Sequence, residues 1–331
     1  MKKSLIVSVF LILSMLLAAC SSAPSGSQTP EQSKESSAQG SNKITVEDMK
    51  GTVEIPADPK RIVDVSGSAD ELIILGVPFI ASANTSMFDG ITVPDYLKDY
   101  FTKNNVETVG NYSGASGDLN LEKIAELKPD LIIMNIRHDK VYEQLKAIAP
   151  TVMLNDDINF VDWQGRFQQL GKWFGKEEVV SNWIKGYEAK AQELAAKVKE
   201  AAKDETFAVL EANSVHFGSY YVYCTGGPGD LIFGAMDLPV SSGVPEGVWG
   251  EVVDAEYFSK IDADHIFFFS DDGKVGDTAN SPAWQNMKAV KNGNIYYGRN
   301  DMQYDMAYTP NGKLIYMEKL ANAIINNTNV E

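Results

Sequence analysis

The sequence predicts an α/β protein of two Rossmann-like lobes, each built on a parallel sheet and joined by one long α-helix. Three observations lead to this fold class. A long amphipathic segment lies near the middle of the chain, strand and helix patterns alternate on both sides of it, and a local motif of the first half recurs in the second. Strands that alternate with helices form parallel sheets, because each crossover helix covers one face of the sheet.

The amphipathic segment is predicted to be one helix over Glu177–Lys203. At about 1.5 Å per residue it would be roughly 40 Å long, which exceeds the width of a small domain. We therefore interpret it as a strut with a folded lobe at each end, rather than as a helix packed within a core. Its apolar residues recur in steps of three and four, which forms one apolar face: Val180, Ile184, Tyr187, Ala191, Leu194 and Val198.

The chain before this helix is predicted to alternate strands with helices after an opening hairpin. Ser68 and Glu71 have the spacing of a capping box, which predicts a helix running to Gly76. Arg166 falls in a further helical segment. The remaining pattern predicts the hairpin at 43–55, strands at 61–66, 78–83, 106–110, 131–135 and 151–154, and helices at 120–127 and 141–147.

The alternation begins again after the long helix. Strands are predicted at 207–211, 266–269 and 295–297, and helices at 230–236, 256–261 and 311–326. The segment from Asn120 to Asp130 and Ile132 matches a segment that begins at Asp254, at a constant offset of 134 residues. Matching local patterns on either side of a long helix predict two lobes with a cleft between them.

The first 42 residues are predicted to be a leader and a tether. Lys2 and Lys3 precede a short apolar run, which is the pattern of a secretory signal peptide. The run ends in Leu17-Ala18-Ala19-Cys20, which is similar to a bacterial lipobox, so Cys20 would carry the lipid. The predicted domains are the signal peptide at 1–19, the lipidated cysteine and a disordered tether at 20–42, an N-terminal lobe at 43–176, the helix at 177–203 and a C-terminal lobe at 204–331.

Charge and cysteine content narrow the choice of partner. The chain has 29 Lys+Arg against 45 Asp+Glu and a formal charge of −16. Such a surface disfavours nucleic acid and bare anionic lipid as partners. If Cys20 is lipidated, Cys224 stands alone, so we expect neither an intrachain disulfide nor a thiolate metal cluster.

Several motifs resemble those of a known family. They are the lipobox, the tether, and the stretches Pro59–Val63, Glu71–Gly76, Leu121–Ile133, Asp130–Arg137 and Gln144–Thr151. In this order they resemble the siderophore- and vitamin-B12-binding lipoproteins of bacterial ABC importers, which have the helix-linked, class III periplasmic-binding-protein fold. The resemblance implies a monomer held on the outer face of the cell membrane of a Gram-positive bacterium. It would capture an iron(III)–siderophore complex, without a further cofactor, and deliver it to a permease served by a cytoplasmic ATPase.

Two arginines are candidates for contact with this ligand. Ligands of open parallel sheets bind beyond the carboxyl ends of the strands, and Arg137 and Arg299 each follow a predicted strand. A guanidinium group binds carboxylate or hydroxamate oxygens through two parallel hydrogen bonds. The alternative for Arg137 is a structural salt bridge or a solvated charge. The alternative for Arg299 is a surface pair with Asp301 or Asp305.

Aromatic and amide side chains near the same strand ends are further candidates. Tyrosine and tryptophan offer a large contact area at a low entropic cost, which suits a rigid ligand. Trp249 is the strongest of them, because the resemblance implies a cleft aromatic just before the Asp254 segment. Core packing is the alternative for each of these residues: Asn84, Tyr112, Tyr220, Tyr223, Trp249 and Tyr304.

Glu122 and Glu256 occupy matching places in the two lobes, two residues after Asn120 and Asp254. A carboxylate in the first turn of a helix stabilises the helix dipole by only a few tenths of a kcal/mol. The resemblance implies a second role, because these positions hold the acidic pair that meets arginines of the permease.

Metal-binding and enzymatic alternatives are weaker. Free Zn²⁺ or Mn²⁺ would need three or four converging ligands, but His138 and His216 follow strands whereas His265 precedes one. The Gly226-Gly-Pro-Gly run lacks the Gly-Lys-Ser/Thr ending of a phosphate-binding loop. The Ser66-Gly-Ser68 run is not a nucleophile elbow, which disfavours an exported hydrolase. An adhesive lipoprotein would not need matched lobes around a cleft.

The class of siderophore follows from charge. A ferric tris-catecholate carries three negative charges and needs several cations, whereas one or two arginines are available here. A hydroxamate or mixed citrate–hydroxamate complex is therefore favoured. Cobalamin, haem and catecholate complexes remain alternatives.

Overall fold

The part of the chain that the structure describes begins with a hairpin. A computed structural model describes residues 42–114, 118–156, 162–212 and 218–331. Strands β1 (Lys43–Asp48) and β2 (Gly51–Pro56) pair in antiparallel fashion, as predicted. The Asp48 carboxylate accepts hydrogen bonds from the backbone N–H groups of Lys50 (2.7 Å) and Met153 (2.8 Å). One side chain thus closes the turn and fastens the hairpin to the sheet beside it. The predicted signal peptide, Cys20, the tether and His216 lie outside the described residues.

A five-stranded parallel sheet follows the hairpin. Its strands are β3 (Ile62–Val65), β4 (Ala81–Ser82), β5 (Glu107–Thr108), β6 (Leu131–Met134) and β7 (Thr151–Met153), in the order β5-β4-β3-β6-β7. All five were predicted, although each is shorter than its sequence pattern. The central strands β3 and β6 are buried along their whole length, which is why they are continuous apolar runs except for Asp64.

Five α-helices cover this sheet: α1 (Ala69–Leu75), α2 (Asp95–Asn104), α3 (Leu121–Glu126), α4 (Tyr142–Ile148) and α5 (Trp163–Trp173). Helix α2 was not predicted; the apolar residues that it buries are two, Leu97 and Phe101, so its apolar face is short. The prediction of a capping box at the start of α1 was wrong. The Ser68 side chain makes no cap hydrogen bond, since its hydroxyl accepts instead from Ser66 (2.8 Å) and Arg166 (3.0 Å).

The long helix is α6 (Glu177–Ala202), within one residue of its predicted end. The interpretation of α6 as a strut was wrong in one respect. Its apolar face is buried along its length, and it packs against α5 before it and against the last helix of the chain after it. Helix α6 is therefore part of the largest apolar core. Its six apolar residues lie on one face along the whole helix, and exposing any part of that face to water would be unfavourable.

The second sheet is mixed rather than parallel. It contains β8 (Phe207–Ala212), β9 (Tyr220–Tyr223), β10 (Gly250–Val253), β11 (His265–Ser270) and β12 (Ile295–Arg299), in the order β10-β9-β8-β11-β12. Strands β8, β11 and β12 are parallel, but β9 is antiparallel to both of its neighbours. The prediction of a parallel second sheet missed β9 and β10. The seven residues between β8 and β9 are too few for a helical crossover, so β9 must return antiparallel.

Short helices and one long one complete the second half. They are a π-helix (Asp230–Ala235), 3₁₀ helices (Ala255–Lys260 and Gly276–Asn280), and α7 (Pro282–Asn286), α8 (Lys288–Asn292), α9 (Asn300–Met306) and α10 (Pro310–Asn326). The described residues belong to one compact unit. No helix within the described ranges is both long and apolar enough to cross a membrane.

The internal repeat corresponds to matching hydrogen bonds. The Asn120 side chain accepts from the N–H of Lys123 (2.9 Å), and the Asp254 side chain accepts from that of Tyr257 (3.0 Å). Ten residues later in each lobe, Asp130 and Asp264 accept backbone N–H groups from the residues that lead into β3 and β8. The two lobes therefore build the same local structure on one side of their sheets.

Candidate ligand-binding cleft

The loop after β3 forms one wall of the candidate site. The buried Asp64 carboxylate accepts hydrogen bonds from the N–H groups of Ser66 (2.9 Å) and Ser68 (3.1 Å), and from the Ser82 hydroxyl (2.8 Å) on β4. This fixes the loop at the carboxyl ends of the two strands. The Asn84 side chain, which was a predicted ligand contact, is 1% exposed and accepts from the N–H of Ala69 (3.3 Å). In this structure Asn84 supports the loop.

Tyr112 lies flat against this loop. Its ring approaches Gly67 so closely that a Cβ atom on Gly67 would lie 2.1 Å from a ring carbon, and the φ angle of Gly67 is +82°. Only glycine satisfies both conditions. Burial raises the pKa of the Tyr112 hydroxyl, which therefore remains protonated. The ring is 3% exposed, so its role in this structure is to form the floor of the loop.

Arg137 is held beside Tyr112 by Asn135, which follows β6. The Asn135 amide group donates to the carbonyls of Ser66 and Tyr112 (both 3.0 Å), and its oxygen accepts from the N–H of Arg137 (2.9 Å). The Arg137 guanidinium donates to the Ser113 carbonyl (2.9 Å) and is half-buried. This cation is thus positioned at the carboxyl edge of the first sheet, as predicted for a ligand contact.

The second half of the chain presents a stacked aromatic pair. The rings of Trp249 and Tyr308 lie 6.1 Å apart and are inclined by 7°. Trp249 packs on Gly226, where a Cβ atom would lie 2.1 Å from the indole. Burial and the charge of Glu211 raise the pKa of Tyr308, whereas Arg137 acts in the opposite direction. Tyr308 therefore interacts electrostatically with Arg137, which lies in the other half of the chain. The sequence did not predict Tyr308 as a site residue, because this residue lies between two helices.

Tyr223 and Tyr304 were predicted to contact ligand, and in this structure both hydroxyls bind Glu211. Glu211 lies near the end of β8, is fully buried, and accepts from Tyr304 (2.8 Å), Tyr223 and the Gln303 amide (3.0 Å). The ring of Tyr304 also stacks on Phe88 of the first half, 6.3 Å away. Tyr304 therefore joins the two halves of the chain, while Tyr223 is 1% exposed.

The other two predicted contacts have partners within the second half. The Tyr220 hydroxyl hydrogen bonds to Thr278 (2.7 Å), and its ring packs edge-on against Phe258 at 4.8 Å. Arg299 is exposed and pairs with Asp301 at 2.6 Å, which is the alternative considered for it. The structure thus leaves Arg137 at the carboxyl edge of the first sheet and Trp249 stacked on Tyr308 in the second half, and keeps Tyr220 and Arg299 in local contacts.

Hydrogen bonds join the two halves of the chain at the start of α10. The Asp70 carboxylate on α1 accepts from the backbone N–H (2.6 Å) and the side-chain amide (2.7 Å) of Asn311. The hydroxyls of Tyr96 and Thr309 hydrogen bond at 2.7 Å. Thr309, the N-cap residue of α10, makes no cap hydrogen bond with its own side chain. The first half of the chain thus supplies the cap for a helix of the second half.

A buried charge triad lies behind the β3 loop. Arg166 on α5 binds Glu71 and Asp156, both at 3.1 Å, and all three side chains are almost completely buried. Burial raises the pKa of Glu71 to about 8, although the Arg166 charge acts to lower it. One guanidinium with two buried carboxylates leaves an excess negative charge, and protonation of Glu71 relieves it. The triad fixes α5 to α1 and to the end of β7.

Glu122 and Glu256 are both exposed and follow the matched capping residues Asn120 and Asp254. Their helices differ, since α3 is an α-helix and Ala255–Lys260 is a 3₁₀ helix. The two lobes thus each expose one carboxylate in an equivalent position of the repeat.

The two described histidines are buried apart from each other. Burial lowers the pKa of His138 to about 4, and His265 hydrogen bonds to Tyr296 (2.8 Å) and Glu205 (2.6 Å). Within the described ranges, no group of three or more His, Cys, Asp or Glu side chains could hold a metal ion.

Comparisons with known proteins agree with this arrangement. Residues 95–302 match a family model described as periplasmic binding protein. A putative ABC transporter substrate-binding lipoprotein of Bacillus subtilis, YhfQ, is 31% identical over 325 residues, covering 90% of both chains. The iron(3+)-hydroxamate-binding protein YxeB of the same organism is 30% identical and covers 94% of this chain and 93% of its own.

Solved structures share the fold. Staphylococcus aureus SirA complexed with staphyloferrin B superposes with a TM-score of 0.67 at 24% identity, over 86% of this chain and 98% of its own. The siderophore-binding protein BauB, bound to ferric iron and acinetobactin, gives 0.66 at 25% identity, over 86% and 99%. A family model that matches more than half of the chain, and relatives that span nearly all of it, show that this chain belongs to the periplasmic binding protein family.

Proposed function

We propose that this protein captures a ferric siderophore in the cleft between its two lobes and delivers it to an ABC permease, without a chemical step. The observation that carries the proposal is the placement of Arg137 at the carboxyl edge of the first sheet, where its charge acts on Tyr308 of the second half, the residue that stacks on Trp249. One cation and the partly exposed indole of Trp249, backed by the buried ring of Tyr308, suit a bulky complex with oxygen ligands. Relatives named for binding iron(3+)-hydroxamate and Fe(3+)-citrate support the same class.

A hydroxamate complex fits the charges of the cleft best. Three hydroxamate groups neutralise Fe³⁺, so the complex needs no array of cations around it. Of the other arginines near the strand ends, Arg166 is bound by two carboxylates and Arg299 by one. A complex with three negative charges would have only part of its charge compensated by Arg137, which disfavours its binding.

Intrinsic fluorescence of residues 21–331 tests this proposal. The protein is titrated with ferric hydroxamate, ferric citrate and ferric catecholate complexes, and with cobalamin, haem and free Zn²⁺. Saturable quenching at submicromolar concentration by a ferric hydroxamate is expected, because Trp249 lies in the cleft. A response to Zn²⁺ alone would overturn the proposal, and a response to cobalamin or haem would change the ligand class.

Replacing Arg137 with Gln is expected to weaken ferric-hydroxamate binding by about tenfold to a hundredfold, which corresponds to the loss of charge-assisted hydrogen bonds worth about 1.5–3 kcal/mol. The dissociation constant is measured by the same titration. Arg61→Gln is the matched control, because the Arg61 guanidinium binds the Leu127 and Lys128 carbonyls at the other side of the sheet. Equal affinities of the Arg137 variant and the parent protein would remove Arg137 from the site.

We further propose that Cys20 anchors the protein in the outer leaflet of the cell membrane and that residues 21–42 hold the lobes away from it. The relatives named as lipoproteins support this anchor. Mass spectrometry of the membrane-extracted protein tests it, since a diacylglycerol adduct on an N-terminal Cys20 is expected. An unmodified N-terminus would contradict the anchor and leave the ligand site unaffected.

We propose that Glu122 and Glu256 meet basic residues of the permease. Replacing both with Ala is expected to abolish uptake of the iron complex in cells and to leave its affinity in solution unchanged, because both carboxylates are exposed to solvent and available to a protein partner. Radioactive iron uptake and the fluorescence titration measure the two quantities. The matched control replaces Glu188 and Glu200, two exposed residues of α6. Loss of ligand affinity in the Glu122/Glu256 variant would place these residues in the ligand site.

A further inference from the structure

A carboxylate of the second lobe, Asp305 on α9, reaches the strand ends of the first. It accepts a hydrogen bond from the Ser86 hydroxyl, in the segment after β4, and interacts electrostatically with Tyr112. The preceding residue, Tyr304, stacks on Phe88. Asp305 is thus a partly buried carboxylate that lies between residues of both lobes, beside the strand ends where ligand binding is proposed.

One oxygen of this carboxylate is unused. Asp305 Oδ1 is buried from solvent and has no hydrogen-bond donor among the residues that the structure describes. Burial and the charges of Asp301, Asp89 and Asp95 raise the pKa of Asp305 to about 7, against the hydrogen bond from Ser86. A buried acceptor without a donor is unfavourable and becomes favourable when a ligand supplies one.

A lysine near Asp305 is engaged elsewhere. Lys98, which interacts with it electrostatically, forms an ion pair with Asp95. Among the residues that the structure describes, the charges that act on Asp305 are thus those of Asp301, Asp89 and Asp95 and of a lysine that is already paired. A positive group of the ligand would meet a negative potential at this end of the cleft, and a negative group would be repelled.

From this geometry we infer that Asp305 is a specificity-determining residue that selects ferric hydroxamates carrying a positively charged group, such as a terminal ammonium. The inference rests on the proposed function. Arg137 contacts the hydroxamate oxygens from the first lobe, and Asp305 accepts a charge-assisted hydrogen bond from the ammonium group in the second. The ligand class is thus a ferric complex with a net positive charge, rather than a neutral or anionic one.

Three matched ligands test this inference by fluorescence titration at pH 7.5. They are a linear ferric tris-hydroxamate with a free terminal ammonium, the same complex acetylated at that nitrogen, and the same complex succinylated there, so that the net charge falls in single steps. The ammonium complex is expected to bind about tenfold or more tightly than the acetylated one, and the succinylated complex most weakly. In Asp305→Asn, which can still accept from Ser86, the three affinities are expected to become equal within about twofold.

The pH dependence is a second measurement. Asp305 must be ionised to bind an ammonium group, and its pKa is about 7. The preference for the ammonium complex is therefore expected to grow between pH 6 and pH 8 and to be independent of pH in Asp305→Asn. Asp99→Asn, which removes an exposed charge of α2, is the matched control and should keep the full preference.

The outcomes separate the two proposals. If all three complexes bind the parent protein equally, the role of Asp305 is refuted and capture of a ferric hydroxamate stands. If none binds, the proposed ligand class itself fails. Asp99→Asn could also reduce the preference for the ammonium complex as much as Asp305→Asn does. That result would assign the selectivity to the overall negative charge of the protein and overturn the specific role of Asp305.

Discussion

Replacing Arg166 with Met is expected to lower the free energy of unfolding by about 3–5 kcal/mol, as is typical when one partner is removed from a buried ion pair. Methionine fills much of the space but leaves Glu71 and Asp156 buried without their cation. The Ser68 hydroxyl loses the same partner, since Arg166 donates to it at 3.0 Å. Urea denaturation followed by circular dichroism measures the change.

This destabilisation should depend on pH. Without Arg166, the folded-state pKa of Glu71 lies still further above its unfolded value, because burial already raises this pKa to about 8 in the presence of that cation. A protein with such a group becomes less stable as the pH rises from the unfolded-state pKa of the group through its folded-state pKa. The variant should therefore be more strongly destabilised at pH 8 than at pH 5.

Arg299→Met is the matched control for this experiment. It removes an exposed guanidinium and its pair with Asp301, and is expected to change the free energy of unfolding by less than about 1 kcal/mol. An Arg166 variant as stable as the Arg299 variant, or one whose stability loss is larger at pH 5, would contradict the account of the triad.

Replacing Asp70 with Ala is expected to cost about 2–3 kcal/mol of stability, which combines a lost helix cap with buried donors left without an acceptor. Asp70 accepts two hydrogen bonds from Asn311, at the start of a helix whose own cap residue does not cap it. Ligand affinity should fall as well, because Tyr308 lies three residues before Asn311 and depends on the position of this turn. Urea denaturation and the fluorescence titration measure the two effects.

Asp70→Asn separates the hydrogen bonds from the charge. Its amide oxygen can still accept from the backbone N–H of Asn311, so this variant should keep more stability and more affinity than Asp70→Ala. If Asp70→Ala lowers stability but leaves affinity unchanged, the contact holds the lobes together without positioning the ligand site. If neither quantity changes, the cap across the lobes contributes nothing.

Local pattern was sufficient to predict much of this fold. The period of apolar residues in α6, the continuous apolar strands β3 and β6, and the repeated Asn120 and Asp254 segments each depend on neighbours in the chain. Each of these patterns depends on the geometry of a single helix or strand. It can therefore be recognised in the sequence without knowing what that element packs against. The position of Arg137 after a buried strand was predictable for the same reason, because strand ends define the edge of a parallel sheet.

Tertiary structure decided which of the predicted side chains could meet. Asp70 and Asn311 are 241 residues apart in the chain, and Tyr304 is 93 residues from Glu211, so no local period connects them. Tyr220 and Tyr223 were expected near the end of a strand, but they begin and end the antiparallel strand β9, and their hydroxyls bind Thr278 and Glu211. Sequence pattern by itself therefore determined most of the elements, the repeat and the long helix. Only tertiary structure determined the lobe contacts and the partners of buried polar groups, because hydrogen bonds and burial act between residues that folding brings together from distant parts of the chain.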